Sequence, residues 1–409
     1  MSTNIPHNLL TAGRQTIHLP FLKTKSSIIL AHSLLIYNMS LPNDLGVVLV
    51  TGGCGYLGSH IVKLLSTTTT SEIHVISRNP KTNILPNVTY HEGDITDHQH
   101  VTDILAEIKP KVIIHTVSPR HTDSARILRK TNIEGTRVLL ECATKNQSVR
   151  AFVYTSSDST LVNTPQEPGV RLTEDVAKLF TENSKEANTY SKTKAVADAA
   201  VLAANDPPNL YTATLRIPSL YGKESLSTGV LLNAIKKNQH KMQVGDNKRK
   251  FGFVFIESAA MAHILAAKAL VREANIDSKS YDGNNAQKSS SGKVNGEAFF
   301  ISDAASMPYF NFARKIVAMA GHPVAENEVK SMSYKLVLGF TILSEWLSWA
   351  FTFGTITPSF RQGEIEYLGL GTDWSIEKAQ ERLGYEPVKD QDEVLREVVA
   401  FEAKRLGIK

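Results

Sequence analysis

Val47-Val48-Leu49-Val50-Thr51-Gly52-Gly53-Cys54-Gly55-Tyr56-Leu57-Gly58 begins as an unbroken β-branched and aliphatic run. Such a run suits a parallel strand buried on both faces. Gly52, Gly55 and Gly58 follow at three-residue spacing, and Ser59 to Leu65 then carries apolar residues at helical intervals. Strand, glycine turn and helix together bring a dinucleotide pyrophosphate onto free backbone N–H groups at a helix N-terminus. In that arrangement Gly52 makes the tight turn, Gly55 admits phosphate close to the backbone, and Gly58 lets the helix lie against the strand. A glycine-rich turn by itself is often only a loop. Flanked by this strand and this helix, it predicts a cofactor site.

The alternation repeats downstream. Glu72 to Ser77 predicts a second strand, ending at Arg78-Asn79-Pro80. NAD-selective sites place Asp or Glu at this strand end, whereas an Arg nearby accommodates a 2′-phosphate. Ser77-Arg78 therefore leans towards NADP rather than NAD. Val88 to His91 predicts a third strand, followed by Asp94 and Ile95 as adenine contacts. A helix ends near Lys109-Pro110, Val112 to Thr116 is strand-like, and Thr131 to Thr136 lies in the next helix. Ala151 to Thr155 predicts a fifth strand running into Ser156-Ser157, and Tyr211 to Leu215 a sixth, running on to Arg216-Ile217-Pro218-Ser219-Leu220-Tyr221-Gly222. Short apolar strands alternating with helices predict an α/β fold, a Rossmann-type doubly wound parallel sheet. Its expected core is 45–222, after an N-terminal extension of 1–44. A smaller C-terminal substrate-binding portion, 223–409, follows.

A hydrophobic share of 42% against 21% charged is an ordinary globular balance, so 409 residues suffice for a large core. A net charge of +5 without a basic stripe interleaved with aromatics argues against nucleic acid. Cys54 and Cys142 supply neither a disulfide framework nor metal-ligand spacing, so a reducing compartment and no metal are expected. The leader is free of Asp and Glu up to Asn43 but carries Arg14, Lys23 and Lys25. That pattern suits a transit peptide or a surface anchor, or simply an extension ahead of an effective start at Met39. Asp277 to Gly296, rich in Ser, Gly, Asn and Lys, predicts a mobile surface loop. Residues 336–357 are the most apolar stretch, interrupted by Glu345. A carboxylate at that depth costs about 3 kcal/mol in a spanning helix, which disfavours one. A helix lying in the bilayer interface, a wall of an apolar pocket and a buried core helix all remain open.

Ala187 to Ala204 predicts a helix carrying Tyr190 and Lys194 four apart, hence on one face. Hydride transfer from a secondary alcohol needs a group to take the hydroxyl proton. A free phenol with a pKa of about 10 is a poor base near neutrality. A nearby ammonium and a positive cofactor favour the phenolate. Ser156 or Ser157, at an adjacent strand end, can hold the substrate oxygen. Tyr385 and Lys389 repeat the spacing, but Pro387 between them breaks a helix.

Taken together, these residues resemble the extended short-chain dehydrogenase/reductase superfamily, and within it the 3β-hydroxysteroid dehydrogenase/isomerase family. The likeness is closest to the fungal sterol-4α-carboxylate 3-dehydrogenases as a group, and covers about residues 45–405. It is carried by Thr51 to Gly58, His115-Thr116-Val117-Ser118-Pro119, Asn132-Ile133-Glu134-Gly135-Thr136, Tyr154-Thr155-Ser156-Ser157, the Tyr190/Lys194 pair, Arg216 to Gly222 and Lys378 to Tyr385. It implies Tyr190 as acid/base, Lys194 as its partner and Ser157 as the orienting hydroxyl, with Asn132 in a helix behind them. The implied cofactor site is Gly52, Gly55, Tyr56, Leu57, Gly58, Arg78, Asp94, Ile95, Tyr190, Lys194 and Pro218. The implied reaction is NAD(P)-dependent oxidation of the 3β-hydroxyl of a 4α-carboxysterol, with decarboxylation to the 3-ketone. Competing readings are a dehydrogenase of another terpenoid or steroid alcohol, and a dinucleotide sensor that does not turn its ligand over. An apolar small molecule is the expected partner, with membrane contact through 336–357 and a homodimer as further expectations. The expected location is the cytoplasm, at the cytosolic face of the endoplasmic reticulum.

Overall fold

A computed structural model describes residues 42–162, 170–185, 187–281, 292–352, 362–371 and 373–408. The leader and the middle of the Ser/Gly-rich segment lie outside these residues. The strand predicted at Val47 is β1 (Val47–Thr51), and it enters α1 (Tyr56–Thr68) through the glycine turn. Then come β2 (Glu72–Ser77), β3 (Thr89–Glu92), α2 (His98–Ile108) and β4 (Val112–His115). A continuous helical run follows: α3 (Ala125–Leu128), a π-helical stretch (Arg129–Gly135) and α4 (Thr136–Lys145). It leads to β5 (Ala151–Ser157), α5 (Thr189–Ala203) and β6 (Tyr211–Ile217).

These strands form one sheet in the order β11-β6-β5-β4-β1-β2-β3, where β11 is Glu297–Phe300. Every pairing in it is parallel. The apolar runs are buried as their composition demands, and β6 is buried at every position. Helix α1 turns Leu57, Gly58, Ile61, Val62 and Leu65 inward, the i, i+4 stripe that a helix lying on a sheet requires. The strand order reverses direction at β1 and β4, and in such sheets the ligand crevice opens beyond the carboxyl ends of those strands.

After β6 the chain forms β7 (Ser219–Tyr221), α6 (Leu226–Lys236), β8 (Met242–Val244), β9 (Lys250–Phe251) and β10 (Phe253–Phe255). Helix α7 (Ile256–Tyr281) then packs back across β5 and β6, ahead of β11. Its last turn enters the predicted loop. The Asp277 carboxylate accepts the Tyr211 hydroxyl of β6 at 2.5 Å, and Glu273 receives the N–H groups of Val294 and Asn295 at the return. Those anchors extend the helix five residues beyond where composition places its end. A second apolar cluster joins Tyr221, Leu232, Phe251, Phe253, Phe312 and Leu395. The last two belong to α8 (Tyr309–Met319), which follows β12 (Met307–Pro308), and to a C-terminal helix, Gln391–Leu406.

The apolar segment is β13 (Lys330–Met332) followed by α9 (Tyr334–Thr352), which stands against α10 (Gln362–Leu370). It is not a core helix. Thr341 is its one buried residue among those described, while Leu336, Phe340, Trp346, Trp349 and Phe351 range from 61% to 80% exposed. Glu345 points the other way and accepts the N–H of Gln362 at 2.7 Å, so it begins α10 instead of facing solvent. No helix among the described residues is long and apolar enough to cross a membrane. Finally, Tyr385 follows α11 (Glu377–Leu383) and is buried, its hydroxyl donating to Ser302 O. The second Tyr-x-x-x-Lys match is therefore structural.

Candidate active site

Gly52 has φ +78°, a backbone that L side chains rarely adopt, and its N–H donates to Ile76 O of β2. Gly58 has a different reason to be glycine. A Cβ there would stand 2.2 Å from Gly52 O, so the first turn of α1 rests directly on the bend. Gly53, to which the sequence reading gave no role, meets the same limit against Val75 of β2. Gly55 is the N-cap of α1, with no side chain capping it and no acid in the first turn. A helix N-terminus left uncapped in this way presents free N–H groups and the positive end of its dipole, which fits a dinucleotide pyrophosphate.

Around this turn the expected cofactor residues are spread over neighbouring strand ends. Tyr56 carries its hydroxyl to Gly222, where an added Cβ would lie 2.7 Å from it, and burial pushes that phenol up. Leu57 and Ile95 turn their side chains into the core and leave only backbone for a ligand. Arg78 is exposed past the end of β2. Asp94 accepts from the N–H and hydroxyl of Thr96 and lies 3.8 Å from Lys130. Burial raises its carboxyl, but those bonds and the charges of Lys130 and Arg78 outweigh it, so the group sits low. The sheet register also sets Glu92 opposite Ser77, an acid that reading only the end of β2 cannot find.

Tyr190 lies in the first turn of α5, whose N-cap Asn188 accepts the Ser191 N–H at 2.9 Å. Ser157 stands at the end of β5. The phenol is pushed up by burial and by the Asp158 charge, while hydrogen bonds to the Ser118 and Ser157 hydroxyls pull it down. Ser157 therefore lies beside the phenol, its hydroxyl also paired with Ser159 Oγ at 3.0 Å and Asp158 Oδ1 at 3.4 Å. Ser156 does not: it is buried and donates to Asp198 Oδ2 at 2.5 Å. The two neighbouring hydroxyls that the sequence left as alternatives are separated by strand alternation.

Lys194 is buried one turn below Tyr190, its Nζ donating to Thr155 O and lying 4.2 Å from the Tyr154 ring centroid. Burial pulls its pKa to about 7, with Asp198 opposing the shift. The expectation that Lys194 lowers the phenol is not met in this geometry. The ammonium is turned to the strand carbonyl, and desolvation of the phenol dominates.

A polar scaffold, of which the sequence had placed only Asn132 behind the site, supports the pair. Asp198, four residues after Lys194, is fully buried and takes Arg216 through Nε at 3.0 Å and Nη2 at 3.1 Å, with Thr214 at 3.3 Å. Asn132 Nδ2 donates to Thr193 Oγ1 at 3.0 Å. His115 bridges Thr51 and Thr136, and His263 bridges Thr155 and Ala259 O; burial holds them at about 3 and about 4, so both are neutral. Pro218 sits between β6 and β7, half-buried. On the outer side of the phenol, the His121 ring stands edge-on to Tyr190 and its Nε2 lies 3.1 Å from Glu364 Oε1.

The model of the 3-beta hydroxysteroid dehydrogenase/isomerase family matches residues 49–331, from β1 through β13. This chain belongs to that family. Sterol-4-alpha-carboxylate 3-dehydrogenase, decarboxylating, of Gibberella zeae is 38% identical over 313 residues, covering 76% of this chain and 97% of the relative. The Schizosaccharomyces pombe protein of the same name is 30% identical, over 85% of this chain and 95% of its own length. A 3-beta-hydroxysteroid dehydrogenase of Mycolicibacterium neoaurum is 27% identical, over 88% and 92%. Among solved structures, the dTDP-glucose 4,6-dehydratase of Bacillus anthracis in complex with NAD superposes with a TM-score of 0.62 at 18% identity, over 88% of this chain and 97% of that one. At that identity the likeness speaks for the fold alone.

Proposed function

We propose that this family member is an NAD(P)-dependent dehydrogenase that oxidises the 3β-hydroxyl of a 4-carboxysterol to a ketone, with loss of the carboxylate as CO2. The observation that carries the reading is the Tyr190 phenol facing Ser157, beside the crevice of the glycine turn, in a chain 38% identical to a sterol-4-carboxylate dehydrogenase. The turn Gly52–Gly58 and the N-terminus of α1 hold the pyrophosphate, Asp94 and the Ile95 backbone take the adenine end, and Pro218 borders the nicotinamide. Ser157 donates to the substrate oxygen, and Tyr190, as the phenolate, accepts the hydroxyl proton and becomes a neutral phenol. Lys194 supports that transfer from the same helix face. When bound, the nicotinamide accepts the hydride.

The ketone so formed lies β to the carboxylate. As the bond to the carboxyl carbon breaks, its electron pair moves into the ring and onto the ketone oxygen. Tyr190, by then a neutral phenol, donates to that oxygen. Solvent returns a proton to the ring carbon. No second catalytic group is required.

Arg78 with the uncharged Ser77 favours NADP at the ribose, against the pull of Glu92. The assay that tests both points mixes the enzyme with a 4α-carboxy-3β-hydroxysterol and either NADP or NAD, and follows reduced cofactor and CO2 together. Both signals should appear. NADP should bind more tightly, and Arg78→Ala should remove about tenfold or more of that preference, as expected for a charge-assisted contact. Reduction without CO2 identifies a plain hydroxysteroid dehydrogenase, and equal affinities for the two cofactors reject the role of Arg78.

The exposed face of α9 we assign to a bilayer surface. Leu336, Phe340, Leu343, Leu347 and Phe351 recur at i, i+4, i+7, i+11 and i+15, a single exposed stripe; Trp346 borders it, and Trp349, also exposed, stands further round the helix. An apolar stripe with tryptophan beside it is the pattern of an interfacial helix, and it would open the site to a lipid-dissolved substrate. The protein should co-sediment with liposomes, and Trp346→Glu with Trp349→Glu should abolish this without changing the circular dichroism spectrum. Failure of the unmutated protein to co-sediment rejects the assignment.

A further inference from the structure

We infer that His121, held by Glu364, is the group that receives the substrate's carboxylate and so selects a sterol acid over a neutral sterol. Granted a hydroxy acid as substrate, on which this inference rests, the carboxylate stands on the carbon next to the one carrying the hydroxyl. A cation that binds it must therefore lie beside Tyr190, on the side away from the buried Lys194. His121 occupies that place. Its ring is edge-on to the Tyr190 ring with centroids 6.3 Å apart, close enough for one hydroxy-acid unit to touch both. The segment between β4 and α3 that carries it also brings the Ser118 hydroxyl to the phenol.

The side chain is 59% exposed and so accessible from solvent. Nε2 is engaged with Glu364 Oε1, whereas Nδ1 has no partner among the described residues. Glu364 on one imidazole nitrogen fixes the ring and leaves the other open to a second acid, and a ring lying between two carboxylates donates one N–H to each. Glu364 is itself fixed. It sits in the first turn of α10, where Gly363 lies so close to Asn188 that an added Cβ would stand 3.0 Å from its Nδ2, and Asn188 caps the helix of Tyr190. Without an imidazolium between them, Glu364 would repel a substrate acid. With it, the two carboxylates share one cation, one on each nitrogen.

The test compares a 4α-carboxy-3β-hydroxysterol with its 4α-methyl counterpart. Each is titrated in dilute detergent against the full chain with reduced cofactor, so that no oxidation occurs. His121→Gln should lower the ratio of acid to neutral affinity by about tenfold or more, and His121→Lys, which restores a cation, should recover most of it. A ratio unchanged within about twofold in His121→Gln overturns the inference. Turnover separates this from the substrate reading. If the unmutated enzyme releases no CO2 from the acid, the substrate reading fails and takes the inference with it. If CO2 is released while the affinity ratio ignores His121, only the inference falls.

Discussion

Tyr190→Phe should abolish turnover while leaving the fold and dinucleotide binding in place. The phenol is the group at the site whose hydroxyl faces both Ser118 and Ser157, and its acidity is set by opposed effects. Burial and the Asp158 charge raise it, so in the free protein it is a neutral phenol at any physiological pH. It can serve as a base only after giving up that proton, which the positive charge brought by a bound nicotinamide would favour; as the phenolate it then takes the alcohol proton while hydride leaves. Phenylalanine fills the same space and keeps the edge contact with His121, so the loss should fall on the chemical step. Positioned acid/base groups supply about 10²–10⁴-fold, and a loss of that size in kcat is expected. Cofactor affinity, followed by fluorescence of the reduced dinucleotide, should stay within about threefold, since the turn and α1 carry most of that binding. More than about a tenth of the original rate in the variant would reject the role.

The second large effect is on stability. Asp198→Ala strips the buried Arg216 guanidinium of both its carboxylate bonds and leaves the Ser156 hydroxyl without its acceptor. Removing one partner of a buried pair is strongly unfavourable, by about 3–5 kcal/mol, because the other charge stays buried. Ser156→Ala, which removes one bond at the edge of the same network, should cost only about 1 kcal/mol. Urea unfolding distinguishes the two. Asp198→Ala combined with Arg216→Leu should regain part of the loss, since the uncompensated charge is gone. A fall below about 1 kcal/mol for Asp198→Ala alone would mean that the guanidinium finds water or another acceptor. Activity should drop as well, because this network lies directly under Ser157 and Lys194.

The two stretches that define the site were legible because their signals are local. An aliphatic run leading into spaced glycines, and a tyrosine four before a lysine on an alanine-rich helix, each depend on residues within one turn or strand. The supporting shell is not local. His263 reaches Thr155 from α7, Arg216 reaches Asp198 from β6, and Glu364 reaches His121 from α10. Nothing in the neighbourhood of either member of such a pair announces the other. Arg216 stands inside a stretch quoted for its resemblance, and Asp198 continues the face of Lys194, so these two were the most accessible of the missed residues. The choice between Ser156 and Ser157 required strand alternation to be fixed by its neighbours. The acidity of Tyr190 turned on burial, which spacing does not report. Helix α9 is apolar almost all round, and such a pattern does not say which side a fold will cover; the position of Glu345 against α10 decided it.

The place of β11 at the outer side of β6 has a consequence for synthesis on the ribosome. The chain is made from its N-terminus, so β1 to β6 emerge and pair well before Glu297–Phe300 exists. Until then β6, which the finished protein buries at every position, runs along the margin of a nascent sheet with one row of peptide groups unpaired. An uncovered margin of this kind templates pairing with other chains. Translation that stalls or terminates between α7 and β11 should therefore yield insoluble fragments rather than a smaller folded dehydrogenase, although every residue of the glycine turn and of the Ser157, Tyr190 and Lys194 constellation has already been made.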